Sequence, residues 1–142
     1  MNPGSLIIYR ASAGAGKTFT LVKEYLKIVL VTPWEFKNVL AITFTNKATE
    51  EMKSRIMETL SEMAAATPEE VKAMPMYQDI KQYLLKRQKA DPETVIANAR
   101  KTLHLILADY SNFSVSTIES FFQKIIRAFS RELGVPLGYE ID

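Results

Sequence analysis

The decisive stretch of this sequence is Ala11-Ser12-Ala13-Gly14-Ala15-Gly16-Lys17-Thr18. Gly14 and Gly16 allow a tight turn in which successive backbone N–H groups point inward, toward the oxygens of a phosphate. The start of the helix that follows adds a partial positive charge. Lys17 can reach the β- and γ-phosphates of a nucleotide, and Thr18 offers a hydroxyl to Mg²⁺. This is the P-loop pattern with Ala11 at the first glycine position, and it predicts that the stretch binds a nucleotide.

Short apolar runs around this loop predict a parallel β-sheet. The runs are Leu6–Tyr9, Val39–Phe44 and Phe113–Ser116, and none of them alternates strictly between polar and apolar residues. Continuous apolar runs are typical of strands that are covered on both faces. Longer helical patterns separate the runs, which favours β-α-β crossovers and therefore an α/β fold with flanking helices.

The helix boundaries follow from caps, prolines and glycines. We predict a first helix from about Gly16 to Pro33, a second that begins after an Asn46 N-cap, and a third that begins with a Thr67–Glu70 capping box. Three more helices are predicted from Tyr77 to Lys89, from Asp91-Pro92 to Tyr110, and after Ser116 up to Gly134. The helical segment 56–110 is too long for a simple crossover, so we expect a small helical subdomain inserted into the α/β domain.

The last helix carries two further expectations. Ser116 and Glu119 have the spacing of a capping box, which explains Glu119 without a functional role. A wide apolar stripe runs along this helix, and its default interpretation is packing in the core. The stripe consists of Ile118, Phe121, Phe122, Ile125, Ile126 and Phe129.

Composition narrows the functional classes. The chain has 142 residues, of which 47% are hydrophobic and 24% charged, as in ordinary globular proteins. It has no cysteine and a single histidine, His104, so it offers neither cysteine chemistry nor a multi-histidine metal site. A net charge of +2 does not by itself predict nucleic-acid binding. No signal peptide or membrane span is visible, and we expect a cytoplasmic protein without membrane contact.

The segment AITFTNKA ends the second predicted strand and begins the second helix. Ligands in open α/β sheets bind at the carboxyl ends of strands. Thr43, Thr45 and Asn46 can donate hydrogen bonds to phosphates, Phe44 can stack on a base, and Lys47 can pair with a nucleic-acid backbone. The structural alternative is a buried Phe44, an Asn46 N-cap and a solvated Lys47, and spacing alone favours that alternative.

Three blocks, ASAGAGKT, AITFTNKATEEMKSRI and VSTIESFFQKIIRAF, resemble in order the first motifs of UvrD/Rep-type superfamily 1 DNA helicases. The first block is similar to that of the RecB and AddA helicase–nuclease subunits. The resemblance implies a RecA-like P-loop NTPase domain that uses ATP and Mg²⁺ and contacts single-stranded DNA in recombination or repair.

The resemblance also implies roles for individual residues. The P-loop positions 12–18 match those that hold ATP, with Lys17 as the catalytic residue and Thr18 at the metal. Positions 43–47 match a motif that touches single-stranded DNA. Ser116 and Thr117 match a third motif on the DNA side.

The chain lacks several parts of such a motor. No glutamine motif precedes the P-loop, and no apolar strand ending in paired acidic residues follows Phe121. We therefore expect residues 1–142 to be a partial N-terminal motor domain, with segment 56–110 inserted in it, and to lack ATP hydrolysis on its own. The expected partners are the second domain of the same motor and a helicase–nuclease partner subunit.

Two other classes stay open from the residues alone. A small P-loop kinase would use the same loop and a cationic lid, but it leaves the segment TFTNKA unexplained. A non-enzymatic interaction module would not need an intact Lys17 and Thr18.

Overall fold

A computed structural model describes the chain over residues 5–8 and 15–134, with side chains from residue 19 onward. Its sheet has the order β1-β2-β3, and all pairings are parallel. The strands are β1 (Ser5–Ile8), β2 (Val39–Thr43) and β3 (Val115–Thr117). The α/β fold with a parallel sheet is thus confirmed, although β3 starts two residues later than the apolar run Phe113–Ser116 predicts.

The described part of the chain contains six α-helices and two short 3₁₀ helices. The α-helices are α1 (Ala15–Val31), α2 (Asn46–Ala65), α3 (Pro68–Ala73), α4 (Pro75–Lys86), α5 (Pro92–Ala108) and α6 (Ile118–Leu133). The 3₁₀ helices, Pro33–Asn38 and Tyr110–Asn112, lie immediately before β2 and before β3. None of the helices in this part is long and apolar enough to cross a membrane.

Two predicted helix signals are confirmed in detail. Thr67 accepts a hydrogen bond from the Glu70 N–H at 3.2 Å, while the Glu70 carboxylate accepts one from the Thr67 N–H at 3.0 Å. This reciprocal pair lowers the pKa of Glu70, because the charged carboxylate accepts the bond. Gly134 ends α6 in the left-handed conformation with φ of 67°, which glycine adopts without strain.

In the part of the chain that the structure describes, one buried core joins the sheet to the helices. It includes residues of α1, α2, α3, α4, α5, β2 and β3. Polar side chains of α5 contact backbone carbonyls of α1 and α2: Asn98 donates to Leu30 at 2.7 Å, the exposed Arg100 donates to Ala64 at 2.7 Å, and the Thr102 hydroxyl lies 3.2 Å from the Val29 carbonyl. These bonds fix α5 against the carboxyl ends of α1 and α2. The division of the chain into a motor domain and an insertion at 56–110 stays a prediction.

Helix α6 differs from what the sequence predicts. No residue of α6 is buried, so the expectation that its apolar stripe packs in the core is wrong for the described part of the chain. Thr117, not Ser116, caps this helix, because its hydroxyl accepts from the Ser120 N–H at 3.2 Å. The predicted Ser116–Glu119 capping box is therefore wrong. The helix starts one residue later than predicted because Ser116 still pairs in β3.

Candidate functional site: the carboxyl edge of the sheet

In the sequence, the predicted P-loop begins after β1 and continues into the start of α1. β1 ends at Ile8 and α1 begins at Ala15, so Ser12, Ala13 and Gly14 lie outside the described residues. Residues 15–18 form the first turn of α1, and of these only the backbone is described. This turn contains no acidic residue. The first N–H groups of a helix have no partner within the helix, so its start fits an anion such as a nucleotide phosphate.

The chemistry of the chain at this helix start also fits Mg²⁺–ATP. A lysine supplies a positive charge to phosphate oxygens, and a threonine hydroxyl is an oxygen ligand of the kind that Mg²⁺ takes. Lys17 and Thr18 follow directly on the first two residues of α1.

Residues Phe44–Lys47, here called the β2–α2 ledge, are all exposed. The Phe44 side chain is 48% exposed, so the interpretation of Phe44 as a core residue is wrong. Thr45 is the N-cap of α2 and accepts from the Ala48 N–H at 3.0 Å. The Asn46 cap predicted from the sequence is therefore wrong by one residue. Asn46 and Lys47 lie in the first turn of α2 and face solvent.

Thr43 has a different position from its neighbours on the ledge. It is 1% exposed, and its hydroxyl contacts the hydroxyl of Thr49 on α2. The same hydroxyl lies 3.3 Å from the Thr45 carbonyl and 3.4 Å from the Ser116 carbonyl. Thr49 in turn donates to the Thr45 carbonyl at 3.1 Å. These bonds hold the start of the ledge against α2 and β3.

Sequence reasoning missed Thr49. The signal was present, because Thr49 precedes Met52 and Ile56 at the spacing of the apolar face of α2. A threonine on a buried helix face needs a hydrogen-bond partner, and Thr43 is the nearest hydroxyl along the strand before it.

The turn between β3 and α6 has Ser116 half-buried and Thr117 buried. The Thr117 hydroxyl accepts from the Ser120 N–H and donates to the Ser120 hydroxyl at 3.0 Å. This hydroxyl thus uses both its donor proton and an acceptor lone pair within the helix cap.

The parallel register brings these segments together. Ile8 pairs with Ile42, and Thr43 pairs with Thr117. All three strands therefore end at the same edge of the sheet, so the carboxyl end of β1, the β2–α2 ledge and the β3–α6 turn lie along that edge. This arrangement defines an α/β domain whose candidate ligand-binding segments share the carboxyl edge of a parallel sheet.

Comparison with known proteins identifies the family. Residues 2–141 match the family model of the UvrD/REP helicase N-terminal domain, so the chain belongs to this family. The family membership confirms the resemblance that the three sequence blocks show. It favours the helicase interpretation over the small-kinase alternative.

Its relatives include proteins of helicase–nuclease enzymes. The chain is 28% identical over 138 residues to the RecBCD enzyme subunit RecB of Escherichia coli (strain K12). The matched region covers 90% of this chain and 11% of that protein. It is 29% identical over 140 residues to the A subunit of the ATP-dependent helicase/nuclease of Bacillus cytotoxicus, which covers 97% of this chain and 9% of that protein. The corresponding protein of Alkaliphilus metalliredigens shows 29% identity over 138 residues, covering 97% and 9%. The chain thus spans about a tenth of the length of the curated relatives it matches. No solved structure matches it significantly.

Proposed function

We propose that this chain is the ATP-binding and single-stranded-DNA-contacting part of an ATP-dependent DNA helicase or helicase–nuclease that acts in recombination or repair. The observation that supports the proposal is that β1, β2 and β3 end at one edge of a parallel sheet, and each of the three motif segments includes or follows the end of one of these strands in the sequence. In this proposal residues 1–142 form part of an N-terminal, RecA-like P-loop motor domain, with the helical insertion at 56–110.

The nucleotide half of the site is the loop before α1. Ser12, Ala13 and Gly14 would present backbone N–H groups to the phosphates, together with the N–H groups of Ala15 and Gly16 at the start of α1. Lys17 would neutralise charge on the β- and γ-phosphates, and Thr18 would hold Mg²⁺. When bound, ATP supplies the phosphoryl group whose transfer to water releases the free energy for strand movement.

The DNA half of the site is the β2–α2 ledge. A half-exposed Phe44 ring offers a face on which a base can stack. The Thr45 hydroxyl accepts from the Ala48 N–H and so keeps its own proton for a phosphate oxygen. Asn46 and Lys47 add an exposed amide and an exposed ammonium group beside it.

The buried threonines at the same edge would position the neighbouring segments and would not contact DNA themselves. The Thr43 hydroxyl is occupied by protein partners, so Thr43 would hold the ledge rather than touch DNA. Thr117 would set the start of α6 in the same way, because its hydroxyl is used in the cap. Ser116 is half-buried, and its hydroxyl is a candidate for a direct phosphate contact.

The remaining partners follow from the relatives. RecB is named as a subunit of the RecBCD enzyme, and the Bacillus and Alkaliphilus relatives are named as subunits of an ATP-dependent helicase/nuclease. We propose for this chain a second motor domain that completes the ATP site, and a helicase–nuclease partner subunit.

Titration of the chain with Mg²⁺–ATP by calorimetry tests the nucleotide half. Replacing Lys17 by Ala removes a charged partner of the phosphates, and we expect affinity to fall by about ten- to a hundredfold, or about 1.5–3 kcal/mol. Lys23→Ala is the matched control, since it removes a lysine from the same helix further from its start. Equal affinities of the Lys17→Ala variant and the unmodified chain would refute ATP binding through this loop.

A further inference from the structure

A cavity of about 390 Å³ lies on the side of the sheet that faces α6, and of its lining residues only Ser116 is among the proposed ATP and DNA contacts. Its volume falls within the range of small-molecule sites, about 300–1,000 Å³. The residues that line it include Lys37, Asn38, Leu40, Ser116, Phe121 and Lys124. They come from the first 3₁₀ helix, from β2 and β3, and from α6.

The strand register explains why these side chains meet. Ile42 pairs with Ser116, so Leu40 and Ser116 project from the same face of the sheet. The opposite face carries Thr43, which contacts α2. Phe121 and Lys124 are three residues apart on α6 and therefore share one side of that helix. The cavity is thus built between one face of the sheet and one side of α6.

The charged side chains that line the cavity are all positive. Two lysines line the cavity, and no carboxylate is among the lining residues that the structure describes. Lys37 has one weak ion pair, with Asp109 at 4.0 Å, and 51% of its side chain is exposed. An exposed pair of this kind contributes about 0–1 kcal/mol and does not compete strongly with an anion. Lys124 has no ion pair within the described part of the chain.

The neutral polar groups of the lining suit the same ligand. Asn38 is exposed and carries an amide that can donate two hydrogen bonds. The Ser116 hydroxyl makes no hydrogen bond to another described residue, although the Ser116 carbonyl accepts one from Thr43. The lining therefore offers two ammonium groups, a hydroxyl and an amide as hydrogen-bond donors. A carboxylate ligand would leave some of these donors unused, whereas the several acceptor oxygens of a phosphate can use them all. Leu40 and Phe121 offer an apolar wall for the group that carries the phosphate.

We propose that this cavity is a second anion site, which binds a phosphate group between Lys37 and Lys124. The phosphate can be that of a free mononucleotide or that of a DNA strand passing from the β2–α2 ledge over Ser116. The chemistry of recognition is the same in both cases. The site does not depend on the P-loop, so it can be tested in a chain whose P-loop lysine has been removed.

The experiment is an NMR titration of the 142-residue Lys17→Ala chain, with adenosine monophosphate in one arm and an oligothymidylate in the other. We expect the amide signals of Ser116, Phe121 and Lys124 to shift on binding. Changing both Lys37 and Lys124 to Gln should weaken binding by about tenfold or more. A matched control changes Lys81 and Lys86 to Gln, because these exposed lysines on α4 remove the same charge elsewhere. The control should stay within about twofold of the parent chain.

Each outcome supports or overturns the proposal. Shifts with adenosine monophosphate that are lost in the Lys37/Lys124 variant support a free phosphate ligand, and shifts with the oligothymidylate alone support a DNA phosphate. Equal weakening in the α4 control would show non-specific attraction and overturn the site. Absence of shifts at the cavity in both arms would overturn it as well. A thermal melt of each variant checks folding, which the exposure of all four lysines should leave intact.

Discussion

Helices α2 and α6 begin in the same way and have different surroundings. Each follows a strand of the sheet, and each starts behind a threonine whose side chain accepts from the N–H three residues later. The apolar face of α2, with Met52, Ile56, Leu60 and Met63, is fully buried. On α6 the residues Phe122, Ile125, Phe129 and Leu133 are between 47% and 61% exposed. The comparison shows that local sequence sets the start and the period of a helix, whereas burial depends on what lies opposite it.

The largest expected difference is between two isoleucines. Replacing Ile56 by Ala should lower the free energy of unfolding by about 2–5 kcal/mol, because it opens a cavity in the core. The same substitution at Ile125, which is 47% exposed, should lower it by less than about 1 kcal/mol. Urea unfolding followed by circular dichroism measures both. Equal losses would mean that α6 is as buried in solution as α2.

The second prediction compares an exposed ring just before α2 with an exposed ring on α6. Phe44 lies just before α2 at the carboxyl edge of the sheet, and Phe44→Ala should weaken oligothymidylate binding by about 1–3 kcal/mol if the ring stacks on a base. Phe129→Ala removes a ring that is 61% exposed, near the far end of α6, and should leave the affinity unchanged. Fluorescence anisotropy with a labelled strand measures both variants. Unchanged affinity in a folded Phe44→Ala chain would remove Phe44 from the proposed DNA site.

The third prediction tests the hydroxyl pair that joins β2 to α2. Thr43→Val keeps the shape of the side chain and removes one partner of the buried Thr49 hydroxyl, which keeps its bond to the Thr45 carbonyl. We therefore expect the free energy of unfolding to fall by about 0.5–1.5 kcal/mol. Thr49→Val should have a similar effect. The double variant removes both hydroxyls, so its loss should be smaller than the sum of the two. Additive losses from urea unfolding would show that the two hydroxyls do not interact.

The smallest expected effect is a gain in stability. Tyr25 on α1 is fully buried, and its hydroxyl has no hydrogen-bond partner in the part of the chain that the structure describes. Burial also raises the pKa of Tyr25, so the phenol stays neutral at ordinary pH. Tyr25→Phe keeps the edge-on contact with Phe113 and should raise the free energy of unfolding by about 1 kcal/mol. A lower melting temperature for this variant would show that the hydroxyl has a partner in solution.

Much of the fold could be predicted because its signals are local. The apolar runs located the three strands within about two residues, and the Thr67–Glu70 capping box and Gly134 marked helix ends correctly. The caps of α2 and α6 were each misplaced by one residue. Asn46 and Ser116 are good capping residues with a threonine beside them, and which of the two caps depends on where the strand stops pairing.

The candidate site could be predicted only in part. Spacing indicated that positions 43–47 lie at the end of a strand, but it did not separate the buried Thr43 from the exposed Phe44 and Lys47. That separation follows from the side of the strand that faces α2, and from Thr49, which the sequence analysis did not consider. The P-loop assignments for Ser12 to Thr18 stay predictions that depend on the motif and on the family.

The order of strands and helices, the parallel sheet and the motifs that assign the chain to its family can all be read from the amino-acid sequence. These features depend on which residue types lie a few positions apart in the chain, and at such short spacing the backbone can adopt few conformations. Three features follow from the three-dimensional packing alone: α6 stays exposed, Thr43 supports the ledge, and Lys37 and Lys124 face one cavity. Burial and charge proximity arise between segments that are far apart in the chain. Lys37 and Lys124, for example, are separated by two strands, four α-helices and a 3₁₀ helix.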